Sequence, residues 1–242
     1  MCDSKYLPNI FSIFILISIG IATLGLITIW TGSAKAAEWK ESGEKTASTL
    51  NFEGEKDSSE WTLDSEVLGG TIAVTCNQLK VSEGSLFVEG TALAKLGFSE
   101  CSTKLAGSAS MACLPKEPIE ASVKVEQFLH EGEAFLLLSP DNAGLRFTEI
   151  KFDKEAGCAF GPNIEITGHV IAEDAAHELK VEKSKHLLQQ TSSSIVLAGH
   201  ENKLKFGAKK AQILGSEWLR LSTGNQWSGK PAGEGNSWSG HV

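Results

Sequence analysis

The stretch Ala121-Ser-Val-Lys-Val-Glu126 alternates apolar side chains with polar or charged ones. Successive side chains of a β-strand point to opposite faces, so this period of two buries one face and exposes the other to water. The same alternation recurs along the chain, for example at Ile164 and Ile166 and at Leu219 and Leu221. The stretch therefore predicts a half-buried antiparallel β-strand, one of many in the chain.

Short apolar runs continue from Thr49 to about residue 223, and turn residues separate them at a spacing of about ten. Repeated short strands of this kind are typical of a β-sandwich or a β-barrel. A change of phase between Phe147 and Ile150 predicts a β-bulge or a break near Glu149. Helical periodicity is weak. We therefore expect a mainly β, antiparallel, sandwich or barrel-like fold with at most one or two short helices.

Composition divides the chain into four parts. Residues 1–36 contain an apolar run typical of a signal peptide or a membrane anchor, and residues 37–48 are charged and small, as in a linker. Residues 49–223 form the predicted β domain, which is long enough for one core or for two small packed subdomains. Residues 224–242 are rich in Gly and Ser, and we expect them to form a flexible tail.

The N-terminal apolar run decides the expected location. It spans residues 10–30 and follows Lys5, and the small residues Ala34 and Ala36 before Ala37 fit the A-x-A rule for signal-peptide cleavage. We expect cleavage between Ala36 and Ala37. The alternative is a retained anchor, because a run of about 20 residues can also span a bilayer. In both cases the rest of the chain is secreted or at the cell surface, and it meets a membrane only if this segment is retained.

The cysteines agree with export. Cys2 precedes the apolar run, and the remaining four are Cys76, Cys101, Cys113 and Cys158. An even number of cysteines in an exported chain predicts disulfides. Four cysteines allow three pairings, and we favour Cys76–Cys101 and Cys113–Cys158 because neighbours in sequence suit adjacent antiparallel strands. A zinc site is not indicated, since there is no C-x-x-C spacing and no histidine near the cysteines.

No motif in the sequence points to a catalytic activity or to a cofactor. A Gly-x-Ser-x-Gly turn and a Gly-rich phosphate loop are both missing, and the six histidines have no metal-type spacing and are expected at the surface. Asp57, Glu60, Asp64 and Glu66 cluster in a segment that could offer oxygen ligands to Ca²⁺, but their spacing is not that of an EF-hand. The net charge of −8, without a basic stripe, argues against nucleic-acid binding.

Two tryptophans in the tail are the candidate binding residues. The tail repeats one short unit, as Gly224-Asn-Gln-Trp-Ser-Gly229 and Gly235-Asn-Ser-Trp-Ser-Gly240. A Gly- and Ser-rich tail has no core of its own, and exposed aromatic rings can stack on sugars or dock on a partner surface. We expect Trp227 and Trp238 to contact a saccharide or a partner surface. The alternative is that Trp227 folds back onto the sheet and Trp238 has no role.

Four short segments carry a resemblance to other proteins: Thr71-Ile-Ala-Val-Thr-Cys76, Leu96-Gly-Phe-Ser-Glu-Cys101, Cys158, and Leu219-Arg-Leu-Ser-Thr-Gly224 before Trp227. They are similar to a group of uncharacterised secreted bacterial proteins that carry a signal peptide, a strand ending in Cys, an aromatic-x-x-Cys strand and a closing hairpin before a Trp. The resemblance covers roughly residues 70–229. It implies an exported location and a β fold, and it implies no activity.

These observations favour an exported, non-catalytic β protein that binds at the cell surface or in the medium. Two alternatives stay open. A secreted hydrolase would require a pair of carboxylates, and two buried acidic residues in a cleft would favour it. A membrane-tethered structural protein would be favoured by retention of the N-terminal segment.

Overall fold

The computed structural model describes residues 37–55, 60–67, 69–142, 146–153, 157–191, 196–222 and 236–242. The apolar N-terminal segment with Ala36 and the tail residue Trp227 lie outside these ranges, and Ala37 is the first residue described. Within these ranges, no helix is long and apolar enough to cross a membrane.

The regular structure is almost entirely β-strand, and the described residues contain one short helical segment, the 3₁₀ turn Met111–Cys113. The first ten strands are β1 (Glu38–Glu41), β2 (Glu44–Lys45), β3 (Leu50–Glu55), β4 (Trp61–Val67), β5 (Gly70–Leu86), β6 (Thr91–Leu105), β7 (Ser108–Ala109), β8 (Ile119–His130), β9 (Glu133–Pro140) and β10 (Arg146–Lys151). The other nine are β11 (Asn163–Thr167), β12 (Val170–Asp174), β13 (Lys185–Gln190), β14 (Val196–Leu197), β15 (His200–Glu201), β16 (Lys205–Phe206), β17 (Lys209–Leu214), β18 (Ser216–Leu221) and β19 (Trp238–His241).

Eight of these strands close into an antiparallel barrel. Their hydrogen-bonded order is β5–β3–β18–β13–β12–β9–β8–β6, and β6 pairs in turn with β5. Alternation along each strand builds the interior: Val123 and Val125 of β8 are buried opposite Ala94 and Ala92 of β6. Closure gives each strand a partner on both sides, so the barrel has no open edge. The mainly β, barrel-like fold that the sequence predicts is confirmed.

A second run of strands, which we call the side sheet, branches from the barrel at β5. Its order is β5–β4–β17–β16–β11–β10. Its last strand lies against β8, where Thr148 Oγ1 donates a hydrogen bond to the Glu120 carbonyl at 2.5 Å. The pairing of β10 with β11 shifts register between Arg146 and Thr148, which places the β-bulge slightly before its predicted position near Glu149.

Strands β5 and β6 belong to both parts of the fold. They form a long hairpin, with 17 residues in β5 and 15 in β6. Val81 of β5 lines the barrel interior, whereas Val74 and other residues further from the hairpin turn line the space under the side sheet. Trp61 of β4 contributes to both spaces, and its ring centroid lies 5.8 Å from that of Phe98. The apolar core is therefore continuous from one part to the other.

Strands β1, β2 and β19 form a separate sheet, which we call the end sheet. β1 and β19 are paired over four residue pairs, and the sheet lies at the end of the barrel where the β5–β6 and β12–β13 connections emerge. Trp39 and Trp238 are buried beneath it, with ring centroids 5.8 Å apart. Gly90 permits this close approach, because a Cβ there would lie 2.3 Å from the carbonyl carbon of Ala37.

The end sheet corrects two expectations from the sequence. The segment 37–48, expected to be a linker, contains β1 and β2, and the end of the tail, expected to be flexible, forms β19. Composition is misleading here because β1 and β19, which pair with each other, come from opposite ends of the described chain. A polar, Gly-rich segment can be ordered when a distant strand supplies its hydrogen bonds and its apolar contacts.

Two disulfides tie the strands together. Cys76 and Cys101 are directly paired residues of β5 and β6, 25 residues apart in sequence. Cys113, in the 3₁₀ turn, is bonded to Cys158 in the β10–β11 connection, 45 residues further along. This is the pairing that the sequence favoured. Disulfides are typical of proteins in an oxidising, extracellular environment.

Removal of the Cys113–Cys158 bridge is expected to lower the free energy of unfolding by about 3–4 kcal/mol, because the unfolded chain gains conformational freedom. The double substitution Cys113→Ser/Cys158→Ser, followed by urea unfolding, would measure the loss. The Cys76→Ser/Cys101→Ser pair serves as comparison, since strand pairing also holds those two positions together. A loss below about 1 kcal/mol would contradict the expectation.

Candidate functional site

A concave groove of about 1300 Å³ lies on the side sheet, on the face opposite the core. Strands β4, β5, β6 and β17 form its floor, and the β11–β12 turn together with residues 201–205 forms its wall. Large concave sites where a few polar groups converge are the usual positions of ligand binding. The groove is therefore the candidate functional site of the described residues.

The register of the side sheet brings polar side chains into one row. Gln212 pairs with Asp64, Asp64 pairs with Ala73, and Ala73 pairs with Lys104. These positions alternate with buried ones such as Leu63, so their side chains point away from the core. Ala73 has the smallest side chain of the row. It separates Asp64 from Lys104 in this row, and all three residues line the groove.

A second row places two lysines side by side. Thr167 of β11 pairs with Lys205 of β16, and Lys205 pairs with Lys210 of β17. Both lysines are exposed and line the groove, and neither has an ion-pair partner in the part of the chain that the structure describes. Like charges in directly opposite positions of a sheet repel each other. This part of the groove is thus positively charged, in a chain whose net charge is −8.

Backbone contacts hold the wall of the groove in place. Lys203 N donates to the His169 carbonyl at 3.0 Å, and the backbone N–H of Ile171 donates to Asn202 Oδ1 at 2.6 Å. Gly168, with φ of +102°, lies so close that a Cβ would be 2.0 Å from the Lys203 carbonyl oxygen. A side chain does not fit there, so glycine is required for residues 201–205 to approach the β11–β12 turn.

His169 in the wall has a shifted pKa. Burial lowers the pKa of His169, and the positive charge of Lys203 lowers it further, against an opposing contribution from Glu201. His169 is therefore neutral at pH 7 and gains a positive charge only at a pH below the usual histidine value of about 6.5. An anion bound in the groove would favour that charged form.

Three carboxylates also line the groove, from Asp64, Glu66 and Glu201. All three are half-buried or exposed, so among the described residues the groove does not bring together the two buried acids that would favour a hydrolase. Asp64 and Glu66 belong to strand β4, and Asp57 of the same acidic cluster lies outside the described ranges. The described residues contain no group of three or more His, Cys, Asp or Glu that could hold a metal ion.

The sequence-predicted binding residue Trp238 lies inside the end of the barrel. Its side chain is 2% exposed, and its carbonyl accepts a hydrogen bond from His186 Nε2 at 2.9 Å. His186 is fully buried and is bonded through Nδ1 to Asp174 Oδ2 at 2.7 Å. The expectation of an exposed Trp238, and of a surface position for every histidine, is therefore wrong. The tail needs no core of its own because Trp238 uses that of the barrel.

No family model, curated protein or solved structure matches this chain. The fold and the groove themselves define the class: a disulfide-bonded, closed antiparallel barrel with a polar groove on an attached side sheet. Sequence reasoning missed the groove because Asp64, Lys104 and Lys210 come together only through strand pairing. The one signal in the sequence is the acidic segment with Asp64 and Glu66, whose carboxylates could also offer oxygen ligands to Ca²⁺.

Proposed function

We propose that this protein is an exported, non-catalytic binding protein that holds an acidic saccharide in the groove. The observation that carries the proposal is the cross-strand pair of Lys205 and Lys210. A carboxylate or sulfate group placed between the two ammonium groups would replace their mutual repulsion with two charge-assisted hydrogen bonds. The ligand is therefore expected to be anionic at this end of the groove.

The neighbouring groups of the groove suit the hydroxyl groups of a sugar. Asp64 and Gln212 lie side by side on the floor, and Thr71 and Thr167 line the same space. Carboxylates, amides and hydroxyls can all accept hydrogen bonds from a sugar hydroxyl, and the amide and hydroxyl groups can also donate. One anionic group and several hydroxyl groups on the same small molecule are the chemistry of an acidic saccharide.

The expected location supports contact with such a ligand. Residues 1–36 have the pattern of a signal peptide that is cleaved between Ala36 and Ala37. The resemblance to secreted bacterial β proteins points in the same direction, and the disulfides suit an oxidising compartment. We therefore infer that the mature chain acts at the cell surface or in the medium.

The double substitution Lys205→Gln/Lys210→Gln is expected to weaken binding of a hexuronic acid oligosaccharide by about tenfold to a hundredfold. Glutamine keeps a polar side chain on the strand but removes the positive charge. Isothermal titration calorimetry of the mature protein would give the dissociation constants. Low ionic strength is required, because salt screens exposed charges.

Two controls separate the groove from non-specific attraction. Lys80→Gln removes an exposed lysine of β5 outside the groove and should leave the dissociation constant unchanged. The methyl-esterified oligosaccharide has no negative charge and should bind weakly to all variants. Equal binding of the charged and esterified sugars, or an equal effect of Lys80→Gln, would contradict the proposal.

Binding of the same oligosaccharide should strengthen as the pH falls below about 6.5, the usual pKa of histidine, for as long as the uronate stays ionised. The pKa of His169 is lowered in the free protein, so binding of an anion is coupled to proton uptake by its imidazole ring. His169→Gln should remove this pH dependence and leave the affinity at neutral pH nearly unchanged. If the pH dependence persists in that variant, His169 is not the group responsible.

A further inference from the structure

The interior of the barrel retains a cavity of about 70 Å³. Side chains from all eight barrel strands line it, and nearly all of them are apolar. Three alanines, Ala92, Ala94 and Ala172, stand at inward positions where larger side chains would fill the space. The interior of an eight-stranded barrel can be filled by side chains or can hold one small ligand, and the alanines favour the second possibility here.

Three of the residues that line the cavity carry a buried polar atom without a hydrogen-bond partner among the described residues. The indole Nε1 atoms of Trp61 and Trp238 and the Oε1 atom of Gln190 are buried and form no hydrogen bond with the described residues. A third indole in the cavity wall behaves differently, because Trp39 Nε1 donates to the Thr91 carbonyl at 2.8 Å. Buried N–H groups are almost always paired in folded proteins, so each unpaired indole indicates a missing acceptor.

We propose that this cavity is a second binding site, for a small, mostly apolar molecule whose carbonyl oxygen accepts a hydrogen bond from an indole N–H of Trp61 or Trp238. The size follows from the volume, since an apolar cavity of about 150 Å³ accommodates benzene. The present cavity has about half that volume and therefore suits a molecule of about three or four non-hydrogen atoms. Its chemistry differs from that of the anionic ligand proposed for the groove.

Access to the cavity requires movement of the end sheet, which carries two of the lining residues, Trp39 and Trp238. Among the described residues, the contacts of this sheet with the barrel are non-covalent. Gly240 N donates to the Leu179 carbonyl at 2.8 Å, and Ser239 Oγ donates to Glu182 Oε1 at 2.8 Å. Contacts of this kind can open and close without breaking the barrel itself.

Nuclear magnetic resonance of the ¹⁵N-labelled mature protein would test the site with acetone as the probe. 2-Methylpropene is the matched control, because a CH₂ group replaces the carbonyl oxygen in a molecule of the same shape. We expect acetone to shift the indole N–H resonance of Trp61 or Trp238 and to bind about fivefold more tightly than the hydrocarbon. The resonance of Trp39, whose N–H is already paired, should move less.

Substitutions would identify which indole donates the hydrogen bond and whether the ligand lies in the barrel cavity. Trp61→Phe and Trp238→Phe each remove one N–H, and one of them should abolish the preference for the ketone. Ala94→Leu should fill the cavity and prevent binding of the ketone. Lys205→Gln/Lys210→Gln, in the groove, should leave binding of the ketone unchanged. If neither indole resonance shifts at saturating acetone, or if the hydrocarbon binds equally well, the proposal is wrong. The indole resonances decide the matter even if Ala94→Leu does not fold.

Discussion

Replacement of Trp238 by alanine is expected to lower the free energy of unfolding by about 3–5 kcal/mol. The indole ring of Trp238 packs against Trp39, with ring centroids 5.8 Å apart, and against His186, at 4.5 Å. Trp39 cannot easily move into the space, because its Nε1 is bonded to the Thr91 carbonyl. The melting temperature should fall by about 10 °C, since 1 kcal/mol corresponds to about 2–4 °C in a domain of this size.

Trp218→Ala is the matched control for this experiment. It removes the same side chain from a half-buried position of β18, where the Lys185 ammonium group lies 4.6 Å from the ring centroid. Its effect should be clearly smaller than that of Trp238→Ala. Truncation after Gly229 deletes β19 and should destabilise at least as much as Trp238→Ala. A truncated protein with an unchanged melting temperature would show that the end sheet adds nothing to stability.

The second large effect is expected from Asp174→Ala, at about 3–5 kcal/mol, because the change leaves the buried His186 and the backbone N–H groups of Ala176 and Glu178 without their hydrogen-bond partner. Asp174 Oδ2 accepts from His186 Nδ1 at 2.7 Å, and Oδ1 accepts from the backbone N–H of Ala176 at 2.9 Å. His186 Nε2 lies 2.9 Å from the Trp238 carbonyl oxygen. His186 therefore links Asp174 to the end sheet.

The same pair makes stability depend on pH. Burial alone would raise the pKa of Asp174, but hydrogen bonds from His186 and from the backbone N–H groups of Ala176 and Glu178 outweigh burial and lower it. A carboxylate whose pKa is lowered by folding stabilises the native state above its unfolded pKa of about 4. This contribution is lost as the pH falls through the lower, folded-state value.

Urea unfolding between pH 7 and pH 2 would measure this loss. The native protein should lose stability in acid more steeply than Asp174→Asn, in which the titrating carboxylate is absent. Asp141→Ala removes an exposed carboxylate and should change stability by less than about 0.5 kcal/mol at pH 7. Identical pH profiles for the native protein and Asp174→Asn would assign the acid sensitivity to other groups.

The strands of the barrel could be predicted because each carries its own signal. The alternation at Ala121, Val123 and Val125 depends on one strand and one buried face, and the structure places all three residues inside. Strand β18, the last barrel strand in the sequence, could be predicted in the same way from the alternation at Leu219 and Leu221. Patterns of this kind are local, so no knowledge of the partner strand is required.

Other features could not be predicted because they depend on pairs that are distant in sequence. Trp39 and Trp238 bury each other across the end sheet, and neither flanking segment has an apolar pattern of its own. Histidine is a residue type usually found at the surface. His186 is buried because Asp174 and Trp238 lie against it, and both are distant from it in sequence. The two lysines of the groove are five positions apart, but only the tight β16–β17 hairpin makes them neighbours.

The long β5–β6 hairpin has a consequence for how the protein folds and unfolds. Its strands supply walls to the barrel interior and to the space under the side sheet, through Val81 in one and Val74 in the other. If the hairpin detaches, neither part keeps a complete core. The barrel and the side sheet therefore form a single cooperative unit, without a stable intermediate in which one is folded and the other is not. The many pairings between distant strands also make folding slow, on a timescale of about milliseconds to seconds.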